Sequence, residues 1–216
     1  MLMANELKKR IFTSIIITFV SFFCIINGSI AFNIFILLVF FVSLIEWFNL
    51  CKNKTYFILG ICFLCISIIS AYTLRNENIS FFLFTILISA FSDIGGFIIG
   101  KTFKGPKLTK ISPNKTYSGS VGSFIFSIIS GFIFIKYFDT LFLINLSINI
   151  NEFIVIIFIM SGINQIGDLI LSYFKRLNNM KNTGKILPGH GGILDRIDGL
   201  IFSMPCSYII FNYLMQ

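Results

Sequence analysis

Apolar runs of 17 to 22 residues, cut by short polar segments, organise this 216-residue chain almost from end to end. They fall at 11–27, 30–50, 56–74, 79–100, 119–137, 153–174 and 193–214. Each is close to the roughly 20 helical residues that cross a hydrocarbon core of ~30 Å. The first two are parted only by Asn27-Gly28-Ser29, a turn signal and no domain boundary. The pattern predicts an all-α fold, a polytopic membrane helical bundle of about seven transmembrane helices in a single integral membrane domain over 1–216. Residues 1–78 would hold the N-terminal transmembrane helices, and 79–216 a second region with cytoplasmic loops 101–118 and 175–192.

Charge placement orients the bundle, because basic residues collect in cytoplasmic loops. With seven spans, Lys8, Lys9, Arg10, Lys52, Lys54, the five lysines from Lys101 to Lys115, and Lys175, Arg176, Lys181, Lys185 and Arg196 all fall on one side. Of the 17 basic residues only Arg75 and Lys136 lie opposite. The N-terminus is expected in the cytoplasm, with Met1 to Arg10 flanking an uncleaved first helix. The net charge of +8 is then a property of cytoplasmic loops, and no nucleic-acid partner is expected. Five scattered cysteines make a poor disulfide framework.

Against 56% hydrophobic and 12% charged residues, acids inside the spans stand out. Asp93, Asp168, Asp195 and Asp198 all sit within about two turns of a cytoplasmic helix end, where they can converge at one level. Such charges are costly in a bilayer and mark an ion, substrate or proton path. Asp195 and Asp198 share a helix face, as do Asp168, Ser172 and Lys175 or Arg176. Carboxylates with few partners suit a hard cation, and Mg²⁺ takes one or two of them together with substrate phosphates. The nearby lysines and arginines would hold phosphate oxygens. Phosphoryl or nucleotidyl transfer at the cytoplasmic surface follows; the alternative is that the acids pair with Arg196, Lys175 and Arg176 as intramembrane salt bridges. His190, between Gly189 and Gly191-Gly192, is either a ligand contact or a turn residue, and the glycines could aim amides at phosphate.

These residues resemble a family. Ser172-Tyr-Phe-Lys175-Arg176, then Lys181-Asn182, then Pro188-Gly-His190-Gly191-Gly192-Ile-Leu-Asp195-Arg196-Ile-Asp198 is similar to the signature of the phosphatidate cytidylyltransferases, or CDP-diacylglycerol synthases. Ser112-Pro113-Asn-Lys115-Thr116-Tyr-Ser118-Gly119 resembles their Ser-Pro-x-Lys-Thr-x-Glu-Gly loop, and Gly167-Asp168-Leu169 a third block. The resemblance runs over about residues 90 to 205 and leaves the first three helices as generic spans. It implies CTP and phosphatidate as substrates, CDP-diacylglycerol and pyrophosphate as products, and Mg²⁺ as cofactor. It makes 79–216 the catalytic region and implies metal ligation by Asp168, Asp195 and Asp198. Lys175 and Arg176 join these as catalytic residues, while Lys115, Thr116, Ser172, His190, Gly191, Gly192 and Arg196 would bind substrate. The compact chain suits a multi-pass protein of a bacterial inner membrane with its active site facing the cytoplasm, and allows a homodimer.

Three positions depart from the family pattern: Ser118, Leu171 and Asn182 stand where acids are usual. Asn182 keeps a carbonyl but loses a charge, so weaker metal binding is expected if that position meets the ion. The alternatives are a CTP-dependent membrane lipid-alcohol kinase and a catalytically impaired family member. A transporter with Asp93 and Asp168 on an ion path would instead show flux indifferent to CTP.

Overall fold

The computed structural model describes the backbone of residues 2–51, 53–109, 112, 115–140, 142–184, 186–187 and 191–215, with side chains from residue 13 onward except at 29 and 144. The helices are α1 (Leu2–Asn27), α2 (Ser29–Leu50), α3 (Lys54–Glu77), α4 (Ile79–Phe103), α5 (Tyr117–Tyr137), α6 (Phe142–Asn145), α7 (Ile150–Leu177), α8 (Leu194–Ile197) and α9 (Leu200–Leu214). No strand occurs among the described residues, and the all-α expectation holds.

Among the described residues five helices are long and apolar enough to cross a membrane: Ile30–Leu50, Lys54–Glu77, Ile79–Phe103, Tyr117–Tyr137 and Ile150–Leu177. The chain is a multi-pass membrane protein. The first of the seven windows lies within α1, and the last holds α8 and the shorter apolar helix Leu200–Leu214. The last window is interrupted because the chain turns at Asp198-Gly199. Gly199 lies so close to the Asn164 side chain that a Cβ would collide with it. Its carbonyl then accepts from Phe202 N–H and Ser203 N–H (3.1 and 3.0 Å), which restarts the helix as α9.

The chain divides into two compact units, residues 1–68 with 174–197 and residues 69–173 with 198–216. In the first, α1 and α2 pack together and α2 also meets α8. Trp47 of α2 donates from Nε1 to the Phe57 carbonyl of α3 (3.1 Å). Its indole lies where a Cβ on Gly60 would be, so the glycine permits the contact. The same ring meets Phe174 edge-on at 5.1 Å. Outward positions such as Phe19, Leu38 and Phe48 are exposed apolar side chains, as lipid-facing surfaces require.

The second unit changes character along its helices. Phe81 and Phe84 of α4, Phe134 of α5, Phe142 of α6, Phe153 of α7 and Phe211 of α9 form one buried aromatic cluster. Further along come small residues and hydroxyls. Ser89 bonds Ser203, Ser92 bonds Ser161 (both 3.0 Å), and Ser123 donates to the Ser92 carbonyl (2.7 Å). Gly95 and Gly122 bring α4 and α5 into backbone contact, since a Cβ on either would overlap the other helix. Where lipid gives no hydrophobic drive between helices, small residues and hydroxyl bonds supply the packing. Beyond this seam, at the α4 C-terminus and α5 N-terminus, lies a cavity.

Candidate active site

The cavity, about 290 Å³, is lined by Asp93, Gly96, Lys115, Ser120, Gln165 and Asp168 among others. Loop 101–118 delivers Lys115 by doubling back: Leu108 N–H bonds the Lys115 carbonyl (2.8 Å) and Tyr117 N–H the Pro106 carbonyl (3.1 Å). Thr116 caps α5, its hydroxyl accepting from Gly119 N–H (3.1 Å) and bonding Ser118 Oγ (2.9 Å). Ser118 also donates to the Lys104 carbonyl, so the residue that replaces a usual acid ties the loop to the end of α4. Lys115 Nζ lies 2.5 Å from Asp168 Oδ2, with side chains 24% and 29% exposed. Ser172, one turn on, donates to Asp168 Oδ1 (3.3 Å). Asn164 donates to Asp93 Oδ1 (2.8 Å), and Ser120 to Gln165 Oε1 (2.6 Å). Gln165 Nε2 is buried without a partner among the described residues.

The second acid group belongs to the other unit and is built differently. Asp195 Oδ2 accepts from Thr183 N–H (2.9 Å) and Gly192 N–H (3.0 Å), while Oδ1 takes the Lys175 ammonium at 2.9 Å. Its side chain is 9% exposed and that of Lys175 13%. Burial raises the cost of its charge, yet the Gly192 amide, Lys175 and the Thr183 amide outweigh this and hold its carboxyl below the usual carboxylate range. Gly191, at φ +89°, exchanges hydrogen bonds with Leu187 (2.9 and 3.2 Å). A Cβ there would stand 2.8 Å from Asp195 Oδ2 and 3.1 Å from Asn182 Cγ, so Asn182 flanks the same glycine.

The predicted residues therefore divide. Asp93, Lys115, Thr116, Asp168 and Ser172 gather in one unit, with Asp198 beside them in the fold: Gly167 packs on the Asp198 carbonyl, which a Cβ would approach to 2.9 Å. Lys175, Asn182, Gly191, Gly192 and Asp195 gather in the other. The acid–hydroxyl step from Asp168 to Ser172 is present, but Lys175 pairs with Asp195, as the salt-bridge alternative held, and Asp168 takes Lys115. The amides expected to face phosphate are occupied: Gly191 N–H by Leu187 and Gly192 N–H by Asp195. Arg176 and Arg196 are exposed and Leu171 is buried. His190, Lys52, Lys110 and Lys185 lie outside the described residues.

Four residues escaped the sequence reading. Asn164 and Gln165 are polar positions deep in the sixth window, and Glu46 is an acid in the second. The rule that flagged Asp93 applies equally to them. Glu46 is 2% exposed and accepts from Ile193 N–H, Leu194 N–H (both 2.9 Å) and the hydroxyl of Thr183 (2.8 Å). Thr183 had no signal, since its role depends on that remote partner.

Residues 55–214 match the cytidylyltransferase family. The chain is 35% identical over 174 residues to the phosphatidate cytidylyltransferase of Staphylococcus saprophyticus, covering 77% of this chain and 65% of that protein. It is 33% identical to the Staphylococcus haemolyticus protein of the same name over the same shares. With that of Staphylococcus aureus the identity is 34% over 161 residues, 73% of this chain and 59% of the relative. The chain thus spans less than two thirds of the length of these relatives.

Proposed function

Because this chain belongs to the cytidylyltransferase family, we propose that it is a phosphatidate cytidylyltransferase, converting CTP and phosphatidate to CDP-diacylglycerol and pyrophosphate. A phosphatidate oxygen attacks the α-phosphorus of CTP. The bond from that phosphorus to the bridging oxygen breaks, and pyrophosphate leaves. Such a step needs orientation and charge neutralisation more than covalent chemistry from the protein.

The observation that carries the reading is the Lys115–Asp168 pair on the wall of the unit's cavity. A lysine held by a single carboxylate can exchange it for a phosphate oxygen. Asp168 is then released toward the space it shares with Asp93 and Gln165. Two carboxylates on one cavity form an all-oxygen donor set that fits Mg²⁺, which leaves its other positions to phosphate and water. Asp168 would hold the ion with Asp93 nearby, and the bound ion supplies neutralisation of triphosphate charge. Asp198 supports Asp168 through the turn packed on Gly167. Asp195 is already committed to two amides and Lys175, so its part is to shape the signature loop. Gln165 Nε2 offers a donor to a substrate oxygen.

All seven apolar helices cross the inner membrane in this reading, with the N-terminus and both basic loops in the cytoplasm. The distribution of lysine and arginine supports that orientation. The test is CDP-diacylglycerol formation by the purified protein in detergent from CTP and phosphatidate across a Mg²⁺ titration. Metal-dependent product that disappears in Asp168→Asn is expected. CTP binding without product, or phosphorylation of a lipid alcohol instead, would overturn the assignment.

A further inference from the structure

Glu46 lies outside the stretch that matches the family and is the single charged residue of the largely apolar α2. A carboxylate buried in such surroundings persists only when donors replace its water. Three donors do so, and all come from the segment 183–194. Two glycines of that segment are shaped around it: a Cβ on Gly184 would stand 2.6 Å from Glu46 Oε1, and one on Gly192 would overlap Oε2. The same segment supplies the Thr183 and Gly192 amides that orient Asp195. Trp47, the next residue, braces the other partner, because its indole meets Phe174 immediately before Lys175. Tyr56 of α3 meets the same ring at 5.7 Å.

We propose that Glu46 is a positioning residue, a clamp reaching from α2 that sets the signature loop so that Asp195 meets Lys175, with Trp47 fixing the Lys175 side. Glu46 touches no reacting atom in this role. It acts through Thr183, Ile193 and Leu194. The inference rests on the cytidylyltransferase reading for its effect on catalysis, but the clamp itself is a matter of hydrogen bonds. In Glu46→Gln the volume is kept while one oxygen becomes a donor that must face another donor, so the carboxylate's full set of bonds cannot form.

Two measurements on the full-length protein decide the matter. Backbone hydrogen exchange is compared between wild type and Glu46→Gln. Exchange in 183–197 should quicken about tenfold or more while α4 and α5 keep their protection, as loss of a charge-assisted bond entails. In the kinetic assay, the KM for CTP should rise about tenfold and that for phosphatidate stay within about twofold, because a displaced loop weakens one substrate's binding selectively. Thr183→Val should show a smaller shift of the same kind, about threefold, and Thr183→Ser should restore wild-type behaviour. Unchanged exchange in 183–197 overturns the clamp. Faster exchange with both KM values unchanged and only kcat lowered overturns the positioning role, since that is what a smaller folded fraction produces. A wild type that makes no CDP-diacylglycerol defeats the parent reading, and the exchange experiment still decides the clamp.

Discussion

Asp168 and Asp195 are both acids of the family-like blocks, yet the two regions treat them in opposite ways. Asp168 looks onto a cavity, keeps 29% of its side chain exposed, and is held by one lysine and one long bond from Ser172. Asp195 is 9% exposed and receives two backbone amides and an ammonium. A carboxylate has about four acceptor positions. At Asp195 two are filled by backbone amides that cannot leave without unmaking the loop, and a third by the Lys175 ammonium. At Asp168 the principal partner is a flexible lysine that a phosphate could draw away. One acid is poised to change partners, and the other is a fixed part of the scaffold.

The sharpest way to break that contrast is to neutralise each acid in turn. Asp168→Asn should lower kcat/KM on the order of 10³-fold, the scale of losing transition-state charge stabilisation, with the thermal midpoint nearly unchanged. Asp195→Asn should do the reverse in emphasis. The loss of its bond to Lys175 should cost about 1–3 kcal/mol of stability, read as a lower midpoint and faster exchange around 183–192. An unshifted midpoint for Asp195→Asn would erase the distinction. A smaller effect is expected from Gln165→Leu, which removes a donor without a partner among the described residues and should raise one substrate's KM about tenfold; unchanged KM values for both substrates would remove Gln165 from the site. The smallest is Asn182→Asp, which places a second carboxylate beside Gly191 and Asp195. If that position meets the ion, half-saturation by Mg²⁺ should fall about threefold. An identical titration would show that Asn182 does not limit metal use.

What could be read from the sequence followed the reach of local geometry. The spans of α4, α5 and α7 appeared within three residues of their ends because continuous apolar runs and helix rise are properties of neighbouring residues. The Asp168–Ser172 bond followed from a four-residue step on one helix. Helical spacing alone could not choose a partner for Lys175, and its real partner, Asp195, lies twenty residues on across a loop. Nor could it join Lys115 to Asp168, whose encounter depends on how α5 meets α7. The break at Asp198-Gly199 was hidden inside an apolar window, and the close approach of Asn164 to Gly199 there is a contact between distant parts of the sequence. Glu46 is the instructive omission: its depth in an apolar helix marked it, but its purpose lies in amides more than 130 residues away.

The division of labour between the acids is tested most directly by metal binding without turnover. Mn²⁺, a spectroscopic substitute for Mg²⁺, would be titrated into purified protein with CTP present and phosphatidate absent, and bound ion read by electron paramagnetic resonance. Asp168→Asn should lose the protein-bound signal, while Asp195→Asn should retain it with weakened affinity at most. Loss of the signal in Asp195→Asn, with Asp168→Asn binding as wild type does, would contradict the account and return the metal to the signature loop.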